Sequence, residues 1–343
     1  MHITLRLPPS PDRVSVQYRW MLQLWITQIF LLAVMADSHG TWNCKELSKT
    51  VLGPNVTWTK LNCSGVVQRH WLPGVTHIGP IIVNIASALL SPDAASPKLR
   101  PQIAMTEIGL AKLHQLAGNA STPDFTPVAG VNGGYFFEVN RQDFLDDVCW
   151  GKDRRDALRN VSLTEPNSGI GDSLTLMNGK YMSSNCDKLG NSKPVVAILD
   201  YPPRFEKLKR GERAPPGTQW AIAAGPNLVS RDSGSTASRV DIEGDNVNIL
   251  EHASNTGLAL KGSKFMVVTM DGIDGCVEYK PTCGVNSWQF ASFLLDHLEV
   301  ETAMEMDQGG STAMWVAGQP NNGIVSNPGV EERQLFNGIF IGV

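Results

Sequence analysis

The sequence predicts an α+β fold of mixed, largely antiparallel sheets packed with a few helices. Three observations lead there. Apolar runs of strand length outnumber segments with helical spacing, the two kinds do not alternate in the βαβ manner, and 343 residues with 42% hydrophobic content can bury a full core. No internal repeat, low-complexity tract or second apolar span divides the chain beyond residue 40, so a single catalytic-type domain is expected over 77–343.

The elements follow in order. Arg6, Arg13 and Arg19 precede the apolar "MLQLWITQIFLLAVMA", which Gln23, Thr27 and Gln28 keep short of a comfortable membrane span, and "VMADSHG" then offers small residues for cleavage. Residues 1–40 therefore read either as a cleaved signal, with Met21 as an alternative start, or as an uncleaved anchor; only the second gives the protein a membrane. Residues 41–76, with two cysteines, read as a disulfide-bearing extension or edge hairpin. "IGPIIVNIASALL" has the β-branched density of a buried strand. "MTEIGLAKLHQLAGN" is expected to be a helix with Thr106 as its cap, Leu110, Leu113 and Leu116 on one face and Gly118 near its end. Further strands are expected at "TPVAGVNGGYFFEV", "SLTLMNGKY", "PVVAILD", "WAIAAGPNLV", "NVNILEH", "KFMVVTMDG", "VETAMEM" and the final "NGIFIGV". "SWQFASFLLDHL" has helical spacing at Phe290, Phe293, Leu294 and Leu298.

Charge and cysteine usage narrow the class. A net charge of −4, a pI near 6.0 and no long basic run give no footprint for nucleic acid. Six cysteines, sequons at Asn55, Asn62, Asn119 and Asn160, and the leader together predict an oxidising, secretory compartment and a glycoprotein. Cys276 and Cys283 are close enough in sequence to staple one loop. Cys44 with Cys63 and Cys149 with Cys186 complete one of the fifteen connectivities that six cysteines allow. No CxxC or HExxH spacing marks a metal site, and no cofactor is called for. The loop "MDGIDG" could take calcium through Asp271 and Asp274, although it matches a full calcium loop poorly.

The chemistry concentrates in "MEMDQGGSTAM". If "ETAMEM" is a strand, Glu305 and Asp307 point to one face, and two carboxylates side by side perturb each other's protonation. Gly309 and Gly310 then permit close backbone approach, and N–H groups near Ser311 and Thr312 form a candidate anion nest. The plain alternative is a solvated turn. A nucleophile elbow is excluded in its usual order, since His297 is the last histidine and precedes Ser311. A P-loop would need a lysine that is missing, and an aspartic-protease pair would need Asp-Thr/Ser-Gly twice.

Read together and in order, "VNGGYFF", "MDQGGSTAM" and "ERQLFNGIFIGV" resemble the phosphodiester glycosidase family, and "AAGPNLVS", "SNTGLAL", "MVVTMDGID" and "VNSWQFASFLLDHL" fall between them as similar segments do there. The likeness spans roughly 77–343. It implies hydrolysis of a sugar 1-phosphodiester, of the N-acetylglucosamine kind, or of a related glycoside. By resemblance Asp307 is nucleophile or base and Glu305 its neighbour or second acid/base. Asp271 is either a third site carboxylate or a turn acid. Gly309, Gly310, Ser311, Thr312 and Arg333 would hold phosphate oxygens, with Asn132, Gly133, Gly134 and Tyr135 as a second wall. Asn132-Gly133 is equally a hairpin signal, and Arg333 beside Glu331 and Glu332 is equally a surface ion pair. Two positions depart from the family: Gln308 stands where a glycine is common and Asn255 where an arginine is common, with His252 nearby as a candidate replacement. Those departures keep open a non-catalytic, secreted carbohydrate-binding or structural relative of the same fold.

Overall fold

The computed structural model describes residues 40–68, 75–90, 99–106, 109–138, 169–171, 174–183, 195–208, 212–232, 234–242, 249, 252–272, 284–326 and 332–343. Strands, numbered along the chain, dominate them. The first sheet runs β1 (Gly40–Gly53), β2 (Val56–Gln68), β3 (Val75–Leu89), β17 (Lys264–Met270), β16 (Asn255–Lys261), β18 (Thr302–Glu305), β14 (Asn227–Arg231), β15 (Ser238–Val240). The second runs β20 (Ile324–Ser326), β19 (Met314–Val316), β6 (Pro127–Asn132), β22 (Asn337–Gly342), β4 (Arg100–Met105). The third runs β10 (Lys180–Ser183), β9 (Thr175–Met177), β13 (Ala221–Ala224), β11 (Val195–Ile198), β12 (Arg204–Lys207). Two short pairs complete the set: β21 (Gln334–Leu335) with β5 (Ala111–Lys112), and β7 (Phe136–Glu138) with β8 (Gly169–Gly171). All these pairings are antiparallel. With two short α-helices among the described residues, the fold is more β-rich than the expected α+β balance.

Alternation along the strands sorts the cores. On the first sheet Trp58, Ala86, Val267, Leu258 and Met304 face Val131 and Ile339 of the second sheet and Ala197 and Ile222 of the third. The intervening residues Cys63, Val83, Val268 and Ala303 face Phe290, Phe293 and Leu294. Those aromatics lie on α2 (Ser287–Ser292) and the π turn Phe293–His297 that continues it. Asn286 Oδ1 accepts from Gln289 N at 3.1 Å and Gln289 Oε1 from Asn286 N at 3.0 Å, a reciprocal cap.

The predicted helix after Met105 forms only in its second half. Thr106 does not cap it, because its hydroxyl donates to Gly109 O at 2.7 Å, and Ala111–Lys112 pair with β21. Helix α1 is Leu113–Ala120, and it buries Leu113 and Leu116 behind the second sheet. "WAIAAGPNLV" is two strands in two sheets, split at Gly225-Pro226, where the proline has no N–H to continue a ladder. "SLTLMNGKY" is a hairpin turned by Asn178 and Gly179, both at positive φ. "NVNILEH" falls almost wholly outside the described residues.

The hairpin β1–β2 adds two strands to the first sheet, and the expected pairing of Cys44 with Cys63 is made between opposed residues of that ladder. Cys149, Cys186, Cys276, Cys283, Asn160 and Asp274 lie outside the described residues. Asn55 is exposed in the hairpin turn, Asn62 is half-buried on β2 and Asn119 is exposed on α1.

Candidate active site

One end of the molecule collects the predicted residues, because β6, β17 and β18 all finish there and β16, β19 and β22 all begin there. β18 ends at Glu305, so the period-two argument stops short of Asp307. Asp307 sits in the turn beyond, half-buried, with its Oδ1 accepting from Gln308 N at 3.0 Å. Gly309 adopts φ 65° and opens a 3₁₀ turn, Gly309–Ser311. A side chain there would be strained by conformation alone, since no atom stands where its Cβ would go. Gly309 N donates to Ser254 O at 2.8 Å, Thr312 N to Gly309 O at 3.0 Å and Ala313 N to Asn132 Oδ1 at 3.1 Å. The backbone nest is thus narrower than the sequence implied, with Gly310 and Ser311 its remaining donors among the described residues.

Asn132 is the hub. It is fully buried; its Nδ2 donates to Asp307 O at 2.7 Å and its Oδ1 accepts from Thr256 Oγ1 at 2.6 Å. Asp307 N donates to Gly133 O at 3.1 Å, so the two Gly-Gly segments are stitched through main chain and side chain together. This is no hairpin turn. Asn337 fixes the arm from the other side: Gly133 N donates to Asn337 O at 3.0 Å and Gly134 N to Asn337 Oδ1 at 2.9 Å, and Asn337 Nδ2 reaches Thr175 Oγ1 at 3.2 Å. A Cβ on Gly133 would lie 1.9 Å from Asn337 Oδ1 and 3.0 Å from Asn337 O. Gly133→Ala is therefore expected to destabilise the fold by about 1–3 kcal/mol, read as a lowered Tm, because the contact includes backbone that cannot swing away.

The carboxyl groups separate by environment. Glu305 is fully buried against α2, where its Oε2 accepts from Ser287 Oγ at 2.6 Å. Burial pushes its pKa up to about 8, opposed by the Ser287 hydroxyl. The protonation of Glu305 is thus set by burial. Asp271, just past β17, accepts from Ser326 Oγ of the second sheet. Burial pushes Asp271 up to about 6, with the Ser326 hydroxyl and the Lys60 charge pulling it back. Strand β16 lies between β17 and β18, so the strands that lead into Asp271 and Asp307 are not neighbours in the sheet.

Four predicted contacts take other forms. Asn255 is fully buried and its Nδ2 donates to Ala253 O at 2.9 Å and Val285 O at 2.8 Å, tying β16 to the loop before α2. His252 is buried, with Nδ1 3.1 Å from Gly284 O; against a carbonyl that nitrogen carries the proton. Tyr135 donates its hydroxyl to Gly225 O at 3.1 Å, anchoring the arm to the segment after β13. Arg333 is exposed and lies 5.3 Å from the Phe136 ring, at the outer end of the same arm. Its neighbour Glu332 is taken up by His114, at 2.6 Å.

Several buried oxygens around the Asp307 turn have no hydrogen-bond partner: Ser254 Oγ, Asn255 Oδ1, Ser311 Oγ, Thr312 Oγ1 and Glu305 Oε1. Orphans of this kind are rare in a settled core. Sequence reading overlooked Asn337, Thr256, Ser287 and Ser326; only Asn337-Gly338, which echoes Asn132-Gly133 and pairs with it across β6 and β22, carried a signal. A cavity of about 640 Å³ lined by Leu176, Tyr181, Glu206 and Arg213 lies at the third sheet and holds none of the predicted site residues.

Comparison with known proteins gives three findings. The sequence model of the phosphodiester glycosidases matches residues 125–342. The fold is similar to the catalytic domain of zebrafish N-acetylglucosamine-1-phosphodiester α-N-acetylglucosaminidase, auto-inhibited by its pro-peptide, at 14% identity and TM-score 0.53, covering 88% of each chain. Weaker likenesses are a hypothetical protein from Synechocystis (14% identity, TM-score 0.43, 90% of this chain and 81% of that one) and an exported-protein candidate from Burkholderia pseudomallei (10%, 0.47, 89% and 96%). No curated protein matches.

Proposed function

The chain belongs to the phosphodiester glycosidase family, and from that premise we propose that it is a secreted hydrolase of a sugar 1-phosphodiester of the N-acetylglucosamine kind. The observation that carries the reading is the group of buried, unpartnered oxygens around Asp307, held in place by the Asn132 network. Of these, the hydroxyls of Ser254, Ser311 and Thr312, with the N–H groups of Gly310 and Ser311, are donors close to one turn, the kind of groups an anionic substrate uses.

The chemistry follows from the leaving group. Cleavage of the bond between C1 and the phosphate oxygen sends the electron pair to a phosphate monoester, which needs less protonation than an alcohol would. Asp307 stabilises the positive charge that develops at C1 and takes the proton of the attacking water, or forms the bond to C1 itself and is displaced by water. Asp271, poised near 6, hands its proton to the departing phosphate, whose own second ionisation lies near 6. Ser311, Thr312 and the N–H groups of Gly310 and Ser311 hold phosphate oxygens. Arg333 lies at the rim for the remainder of the substrate. Glu305 stays protonated beneath the site and keeps Ser287 in register.

The test is hydrolysis of a panel of sugar 1-phosphodiesters, UDP-N-acetylglucosamine included, by the purified secreted protein, reading free sugar and phosphate monoester. Turnover is expected to decline as pH rises through about 6, and Asp271→Asn is expected to remove that limb. The amide of Asn255, spent on two carbonyls where the family commonly has arginine, favours a second reading as a binding-only relative. Sugar-phosphate binding without turnover of any substrate would select it.

A further inference from the structure

The cavity of about 640 Å³ at the third sheet has no part in the chemistry proposed for the Asp307 turn. Alternation along β9 separates the two. Thr175 faces inward, where its hydroxyl meets Asn337, and Leu176 faces outward, against Ala214 and into the cavity. Three segments build the walls. The β9–β10 hairpin gives Gly179 and Tyr181, β12 gives Glu206 and Lys207, and the chain that returns from β12 to β13 gives Arg213 and the bend Pro215–Thr218. Because β10 and β12 are the two edge strands of this sheet, the cavity is a trough that reaches across its outer face.

The trough is held in shape by hydrogen bonds. Thr218 donates to Pro215 O from its N–H at 3.2 Å and from its hydroxyl at 2.7 Å, around Pro216 and a Gly217 at φ 87°, as a type II turn requires. Gly179 N donates to Gln219 O at 3.0 Å, and Gln219 Nε2 to Gly217 O at 3.2 Å, which fastens that turn to the hairpin. Tyr181 is 36% exposed, and the exposed Arg213 guanidinium lies 5.7 Å from its ring centroid.

Charge decides the class of ligand. Glu206 and Glu212 are matched by Lys207 and Arg213, and the partners Arg204, 2.5 Å from Glu206, and Asp241, 3.4 Å from Lys207, cancel as well. A phosphate or a nucleic acid would call for a surplus of cations, and a greasy ligand for fewer charged groups. An uncharged sugar chain calls for neither. Its C–H faces lie on an aromatic ring, and its neighbouring hydroxyls meet the paired donors of a guanidinium and the paired acceptors of a carboxylate.

We propose that this trough is a carbohydrate-binding site for an uncharged oligosaccharide, with Tyr181 as the stacking platform and Arg213, Glu206 and Glu212 as the groups that bind hydroxyls. The trough and the Asp307 turn share no residue, so sugar binding here does not require turnover there.

The test is calorimetry on the purified full-length protein with uncharged trisaccharides of glucose, N-acetylglucosamine and mannose, beside a glucuronic acid trisaccharide and a peptide of alternating lysine and glutamate. At least one uncharged trisaccharide is expected to bind, and more tightly than either charged probe. Tyr181→Ala is expected to weaken that binding about tenfold or more, and Tyr181→Trp to restore it. Arg213→Ala, on an exposed side chain, is expected to weaken it with Tm unchanged, which keeps the site testable if Tyr181→Ala fails to fold. Hydrolysis of a small sugar 1-phosphodiester should be the same in Tyr181→Ala as in the unmodified protein, so the trough and the hydrolase can fail separately. Binding of no uncharged trisaccharide, binding that Tyr181→Ala and Arg213→Ala leave unaltered, or preference for the charged trisaccharide or the peptide overturns the site.

Discussion

Asp307→Asn is expected to lower kcat on a sugar 1-phosphodiester by about 10³-fold or more while leaving the fold intact. The structure separates the two effects. Asp307 contributes to the fold through main-chain groups, its N–H on Gly133 O and its C=O on Asn132 Nδ2, and neither changes with the side chain. The side-chain bond from Gln308 N to Oδ1 is one an amide oxygen also accepts. What the substitution removes is the negative charge that the proposed mechanism sets beside C1, which an oxocarbenium-like transition state needs and the ground state does not. The measurement is turnover beside thermal unfolding of the same preparation. Retained turnover in a folded variant would sink the role given to Asp307; lost turnover with a collapsed Tm would show that the hub around Asn132 depends on more than main chain.

The candidate site was legible in the sequence where chemistry and backbone geometry coincide. Asp307 with Gly309-Gly310 stands out because a carboxylate beside a glycine pair joins charge to close backbone approach, and Asn132 with Gly133-Gly134 stands out as a polar side chain beside a second glycine pair. Its hairpin reading fails because the donors and acceptors of Asn132 are all claimed by residues more than a hundred positions away. Local sequence carries no sign of such partners. The same limit hid Thr256 and Ser326, whose meaning depends on which strands become neighbours. Helix expectations erred in the opposite direction: spacing at Leu110, Leu113 and Leu116 was real, but pairing of Ala111–Lys112 with β21 overrode propensity for the first turns. Strand density was read well and strand connectivity was not, as the division of "WAIAAGPNLV" between two sheets shows.

Glu305 supplies the other large effect, on stability. Its folded pKa near 8 stands above the ordinary value of 4.5, so between those values the native state holds a proton that the unfolded chain has released. The sign follows directly: the unfolded state binds fewer protons, and stability falls as pH rises through that window, by about 1.4 kcal/mol per pH unit at the steepest and on the order of 4 kcal/mol in all. Glu305→Gln is a neutral isostere whose carbonyl oxygen can still accept from Ser287 Oγ. The variant is therefore expected to lose this pH dependence and to match or exceed the unmodified protein in Tm near pH 8, while losing less than tenfold in kcat at pH 6, where the protonated Glu305 carboxyl and the amide that replaces it are both neutral. Denaturant unfolding at a series of pH values reads the slope, and turnover at pH 6 reads the chemistry. Parallel pH profiles in the two proteins would mean that Glu305 is ionised in the native state. A collapse of kcat in Glu305→Gln at pH 6 would instead make the carboxyl a participant in proton transfer, one of the two roles that the family resemblance implies for it.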